Sequence, residues 1–177
     1  VKITKLADTI WPVVLADVPL IIYGPTGVGK STVIRNELVP KIESHFGPTV
    51  FHDTRLSTKD IVDGTGMPII DKEQMATFWT RPAFIPFDDG KMHVFLYDEF
   101  GHASVQLQQM AYSLVLDRAL GGYPYPKKNR LILATNTRTD GGSSGIAIAK
   151  TESKCAGTIL GEAVSYTHLT LPTTSRV

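Results

Sequence analysis

Eight consecutive residues, Gly24-Pro25-Thr26-Gly27-Val28-Gly29-Lys30-Ser31, constrain this chain more than any other feature. They satisfy the spacing G-x-x-x-x-G-K-[ST]. The flanks suit it too: an apolar run, Leu20 to Tyr23, enters the Gly24-Pro25 turn, and a helical pattern opens at Ser31. Glycines let the backbone curl so that successive N–H groups point inward as an anion nest. The helix that follows adds its positive N-terminal end. Lys30 can then reach the β- and γ-phosphates of a nucleotide as a mobile point charge, and the Ser31 hydroxyl can ligate Mg²⁺.

Two further strand ends carry polar groups. Val94-Phe95-Leu96-Tyr97-Asp98-Glu99 puts two carboxylates where an apolar strand emerges at its C-terminal edge, the edge at which open α/β sheets bind ligands. There Asp98 would hold Mg²⁺, through a water, while Glu99 would orient and deprotonate a water attacking the γ-phosphate. Leu131-Ile132-Leu133-Ala134-Thr135-Asn136 repeats the arrangement with an amide. Asn136 could hydrogen-bond the γ-phosphate or the attacking water, or could simply close the strand as an Asx turn. Thr137-Arg138-Thr139 does not supply the N-K-x-D pattern that reads guanine, which disfavours GTP.

The rest of the chain alternates in the same way. Ile3, Leu6, Ala7 and Ile10 mark one face of a helix running towards Trp11 and Pro12. A helix is predicted from Ser31 to about Glu43, and a second strand over Thr49 to His52. Ser57-Thr58-Lys59-Asp60 has capping-box spacing before a short helix closed by Gly64, and Gly64 to Asp89 reads as a hairpin or irregular insertion. The third strand, His93 to Tyr97, precedes a helix over Ser104 to Leu116. Gly121, Gly122, Pro124 and Pro126 then make a turn or hairpin before the fourth strand, Leu131 to Ala134. Strands alternating with helices predict an α/β three-layer sandwich around a largely parallel central sheet.

Composition excludes several classes. Lys plus Arg (18) nearly balances Asp plus Glu (17), so no basic field drives nucleic-acid binding. One cysteine, Cys155, permits neither an internal disulfide nor a multi-cysteine zinc site. His45, His52, His93 and His102 lack metal-ligand spacing and read as polar or packing residues. Phe78, Trp79 and Phe84 with Arg81 suggest a partly buried insertion, or a surface facing a partner, rather than base stacking. Val13 to Tyr23 is broken by Asp17 and Pro19. It is too short to cross a bilayer and lacks the layout of a signal peptide, so a reduced, cytoplasmic setting is expected.

Both ends carry their own expectations. The chain begins with Val1, which suggests a missing upstream piece or a literally translated alternative start codon. At the other end, Val164 to Thr173 (VSYTHLTLPT) back-translates to GTC TCT TAT ACA CAT CTG ACG CTG CCG ACG. That string resembles the transposase mosaic-end adapter used to prepare DNA for sequencing. The expected organisation is therefore a partial nucleotide-binding core over residues 1–162 and a translated adapter over 163–177.

The order GPTGVGKS, FLYDEF and LILATN resembles the AAA+ ATPase superfamily. DEFGHASVQLQQMAYSLVLDRALGGYPYP followed by LILATNTRTDGG is similar to its MoxR-like branch, as is RLSTKDIVDGTGMPIIDKEQMATFWTRPAFIP. The likeness runs from about Leu6 to Gly161. It implies an ATP-driven ring, generally hexameric, that remodels a protein partner, often one with a metal-dependent adhesion-type domain. By position, Gly24, Pro25, Thr26, Gly27, Val28, Gly29, Lys30, Ser31 and Thr32 correspond to Walker A, Asp98 and Glu99 to Walker B, and Asn136 to sensor 1. ATP and Mg²⁺ are the implied cofactors. Such rings complete each site with an arginine from the neighbouring subunit, but the matching position appears here as Lys154, which lacks the planar fork. Arg118 and Arg138 read better as surface arginines. Phe100 to Ala103 replaces the branch's more usual asparagine-containing turn, and the branch's small helical lid has no counterpart.

Three readings follow from the residues and the resemblance together. The first is Mg²⁺-dependent ATP hydrolysis coupled to remodelling. The second is a P-loop phosphotransferase such as a small-molecule or nucleotide kinase, against which Glu99 and Asn136 argue. The third is a nucleotide-binding assembly switch that scarcely turns over.

Overall fold

A strand covered on both faces must present apolar side chains in both directions, so it reads as an unbroken apolar run. The computed structural model, which describes residues 2–136 and 156–159, bears this out in the inner strands of its main sheet. In chain order the strands are β1 (Leu20–Tyr23), β2 (Thr49–Arg55), β3 (Pro68–Asp71), β4 (Ala76–Trp79), β5 (Met92–Asp98), β6 (Ala119–Leu120), β7 (Tyr123–Pro124), β8 (Asn129–Thr135) and β9 (Ala156–Ile159). Five of them form one sheet in the order β2-β5-β8-β1-β9, every neighbouring pair parallel. β3–β4 and β6–β7 are separate two-stranded antiparallel ribbons.

The alternation of side chains divides the core in two. Leu20 and Ile22 of β1, Val94 and Leu96 of β5, and Ile132 and Ala134 of β8 face α1 (Leu6–Leu15) and the helical run after the glycine-rich loop. Ile21, Phe95, Tyr97, Leu131 and Leu133 face the other way, against Leu56, Phe84, Ile85 and the helix over Val105–Asp117. Each fully buried aliphatic side chain of this kind contributes about 1.5–3 kcal/mol relative to exposure. The α/β three-layer architecture expected from the alternating pattern is therefore present.

The predicted helix over Ser31–Glu43 is helical throughout but in three pieces: α2 (Lys30–Val33), a π turn (Ile34–Leu38) and α3 (Val39–Phe46). Pro40 supplies the reason. Its nitrogen carries no hydrogen, and its ring would press on the carbonyl one turn back. The wider turn relieves this, with the Val39 N–H bonded to the Ile34 carbonyl.

The capping box is displaced. Leu56 is fully buried, which commits Ser57 and Thr58 to the 3-10 turn Leu56–Thr58. Asp60, not Ser57, caps α4 (Ile61–Thr65), and the Asp63 carboxylate accepts from the Asp60 N–H at 3.1 Å. The helix closes at Gly66 rather than Gly64; Gly64 lies buried inside it, under Met110. The last helix, α5 (Val105–Asp117), starts at Ser104, whose hydroxyl accepts from the Leu107 N–H.

β9 was not expected. It pairs with β1 from Leu20↔Ala156 to Tyr23↔Ile159, so the glycine-rich loop leaves a strand that has a neighbour on each side. The segment over 163–177, expected to be a translated adapter, lies outside the described residues, as do Arg138, Lys154 and Cys155. No helix among the described residues is long and apolar enough to cross a membrane.

Gly66 offers a stability test. Its φ is +78°, and an added Cβ would stand 2.2 Å from the Thr80 carbonyl oxygen, which is backbone and cannot swing aside. Gly66→Ala is expected to destabilise the chain by about 1–3 kcal/mol in urea unfolding.

Candidate nucleotide-binding site

Three strand ends stand side by side at the carboxyl edge of the sheet: Asp98-Glu99 after β5, Asn136 after β8, and the loop Gly24–Gly29 after β1. The loop begins tied to its neighbour, the Gly24 N–H donating to the Thr135 carbonyl at 3.2 Å. Thr26, Gly27 and Val28 are exposed at its crest, and Thr32 is exposed one turn into the helix. Gly29 sits at φ +89°, in the left-handed region where side chains are disfavoured, and delivers Lys30 inward as the first residue of α2.

Lys30 is 8% exposed. Its ammonium donates to the carbonyls of Gly24 (2.8 Å) and Pro25 (3.0 Å) and to Asn136 Oδ1 (3.4 Å). The loop lysine and the β8 amide, more than a hundred residues apart in sequence, thus meet directly. These acceptors are neutral, so an anionic phosphate can replace them at little cost to the charge.

Ser31 and Asp98 also meet, the hydroxyl donating to Asp98 Oδ2. Two hard oxygen donors facing each other in this way suit Mg²⁺, which is commonly held by a carboxylate, a hydroxyl and phosphate oxygens. Asp98 Oδ1 accepts from the Glu99 N–H at 2.8 Å.

Glu99 has a positive φ of +56°, an uncommon conformation for a residue with a Cβ and one that collects at functional sites. Its carboxylate is engaged by the end of β2 and the turn that follows. It accepts from the Ser57 hydroxyl and pairs with Arg55 Nε at 3.3 Å. Arg55 and Ser57 are the two site residues that sequence reading missed. The signal was topological: β2 runs parallel to β5 in the register Arg55↔Asp98, so the end of one strand delivers side chains to the end of the other.

Other candidates fall elsewhere. Arg118 is at the opposite edge, bonded to Asn129 Oδ1 and to the Asp17 carbonyl at 3.0 Å. Six residue steps along β8 separate Asn129 from Thr135, a span of about 20 Å at the usual rise per residue. Phe84 is core, while Phe78 and Trp79 are half exposed on the β3–β4 ribbon. The Arg81 guanidinium lies over the rings of Phe87 (4.2 Å) and Tyr123 (4.8 Å). Phe100–His102 form a 3-10 turn whose Phe100 is fully buried. Among the described residues no group of three or more His, Cys, Asp or Glu is placed to hold a metal ion.

A parallel α/β sheet with this loop after an inner strand defines a nucleotide-binding protein of the P-loop NTPase type. The guanylate kinase family model matches residues 16–122, well over half of the chain, and the chain belongs to that family. No curated protein sequence matches it. Solved structures share the fold at low identity. A Cytophaga hutchinsonii protein assigned as an ATPase is 12% identical with a TM-score of 0.58. NtrX from Brucella abortus is 15% identical with a TM-score of 0.56. Each match covers 89% of this chain, but the chain spans only 46% of the first structure and 35% of the second.

Lys30→Ala removes the cation now bonded to both the loop carbonyls and Asn136. Calorimetry is expected to show ATP affinity lowered at least about tenfold, the loss of a charge-assisted phosphate contact.

Proposed function

We propose that the chain binds ATP with Mg²⁺ and hydrolyses it, as the nucleotide-binding core of a MoxR-like AAA+ protein. On this reading residues 1–162 form that core, which works in a ring, hexameric by resemblance, to remodel a protein partner of the adhesion-domain type. The observation that carries the hydrolytic part is the second carboxylate. Glu99 follows Asp98 directly, on the edge where Lys30, Ser31 and Asn136 converge.

The roles follow from that arrangement. The loop from Gly24 to Thr32 cradles the phosphates, and Lys30 exchanges its carbonyl partners for phosphate oxygens. Ser31 and Asp98 would hold Mg²⁺. The bound ion would offset charge on the β- and γ-phosphates. Glu99 takes a proton from water as the water oxygen attacks the γ-phosphorus, and the bond to the β-phosphate oxygen breaks to release ADP. To do so its carboxylate must turn away from Ser57 and Arg55. Asn136 orients the water or the γ-phosphate while Lys30 is on phosphate.

The guanylate kinase match favours a second reading, transfer of the γ-phosphoryl group from ATP to a nucleotide acceptor such as GMP. The two readings predict different products. Under hydrolysis, ADP and phosphate appear without GMP, and Glu99→Gln keeps ATP binding but lowers turnover at least about tenfold. Specific activity should also rise with protein concentration, because a neighbouring subunit completes each site. ADP release that requires GMP would establish the kinase instead. Equal turnover in wild type and Glu99→Gln would remove Glu99 from the mechanism, and ATP binding without turnover would make the chain a switch.

A further inference from the structure

At the other end of β5, a carboxylate and two imidazoles are joined in a line. His93 Nε2 lies 2.9 Å from Asp89 Oδ1, and His93 Nδ1 lies 2.9 Å from His52 Nε2. The roles along the line are dictated in turn. An ionised carboxylate only accepts, so His93 Nε2 must carry the hydrogen. In the neutral ring Nδ1 is then a lone pair, and His52 Nε2–H must donate to it. The rings are nearly parallel, 7° apart, and His52 also stacks on Phe95 at 4.6 Å. His93 is 2% exposed. The line crosses from β5 to β2, one of the two edge strands of the sheet among the described residues.

We propose that Asp89, His93 and His52 form an acid-released clasp that fastens β2 to β5 at neutral pH and opens when both imidazoles are protonated. The clasp can take one added proton, at the outer nitrogen of His52, without breaking a bond. A second proton sets N–H against N–H across 2.9 Å and places two cations side by side in a half-buried site.

Burial holds the His52 imidazole below its ordinary range, His93 adds to the effect, and Asp89 opposes it. The freed ring titrates near about 6.5. The open form therefore binds protons more readily than the closed one, so the clasp holds fully above that pH and weakens as pH falls below it. Asp88, Asp89, Tyr97 and Tyr125 do not titrate in this window. His93 holds the Asp89 carboxylate well below the ordinary range, with Lys91 paired to it at 3.2 Å. Backbone N–H bonds from Gly90 and Lys127 hold Asp88 low as well. Tyr97 and Tyr125, on the same face, are pushed up by burial and stay neutral. No nucleotide is needed for any of this, although β2 ends at Arg55, which pairs with Glu99.

The test uses the whole chain. Long-range imidazole nitrogen–proton spectra at about pH 7.5 should show hydrogen on His93 Nε2 and His52 Nε2 and none on His93 Nδ1. Amide exchange, corrected for its intrinsic pH dependence, is then compared at about pH 7.5 and 5. Residues 49–55 should lose at least about tenfold more protection than residues 131–135, and His52→Phe, which keeps a flat ring on Phe95, should abolish that difference. Hydrogen on His93 Nδ1 at neutral pH, equal changes in the two strands, or a difference that survives in His52→Phe would each overturn the clasp. If His52→Phe does not fold, the wild-type spectra and exchange decide alone.

Discussion

One buried cation organises the carboxyl edge of the sheet. Lys30 is almost wholly removed from water, and an ammonium so placed costs several kcal/mol unless protein oxygens replace its hydration. The loop after β1 provides them by folding back on itself, so that Gly24 and Pro25 turn their carbonyls inward to the side chain six and five residues further on. Asn136 Oδ1 adds an oxygen from the neighbouring strand, and the Gly24 N–H bond to Thr135 locks the two strand ends together. The same shape suits phosphate, because the ammonium keeps its charge while Gly24, Pro25 and Asn136 offer it neutral, exchangeable oxygens.

Strand order then sets the spacing of the remaining groups. β8 lies between β1 and β5, so Asn136 stands between the loop and the acidic pair, and Asp98 reaches back to Ser31. Glu99 bends outward at its positive φ and meets β2 instead. The carboxylate tied to Arg55 and Ser57 is accessible and stands on the same sheet edge as the loop. That arrangement connects the chemistry of the site to the edge strand. The guanylate kinase match covers the loop and both acids but ends at residue 122, before Asn136. Family membership and the hydrolytic reading thus share the phosphate-binding apparatus and part company over what receives the phosphoryl group.

Much of this was legible in the residues. The strands over Leu20–Tyr23, His93–Tyr97 and Leu131–Ala134 were readable because burial on both faces leaves no polar interruption, and the helix over Val105–Asp117 because its buried positions recur at helical spacing. The loop and acidic pair were readable because their residue types are chemically required. The π turn was not, because the effect of Pro40 depends on how the surrounding helix is packed. Nor was the cap at Asp60, since Ser57 and Asp60 are comparable caps and the burial of Leu56 chose between them. β9 lacked a signal because Ala156-Gly157-Thr158-Ile159 has little apolar contrast, and its pairing to β1 is a long-range event. His52 and His93 look like unrelated packing residues until parallel register brings them together.

By itself, then, the sequence determined the kind of fold and the principal phosphate-binding groups, because apolar periodicity and the glycine–lysine–serine spacing are local properties. Tertiary structure decided which groups meet: Lys30 with Asn136, Ser31 with Asp98, Glu99 with Ser57 and Arg55, and His93 with both Asp89 and His52. Those meetings depend on strand order and register. Both are settled by how two apolar faces are buried at once, a condition that no single segment contains.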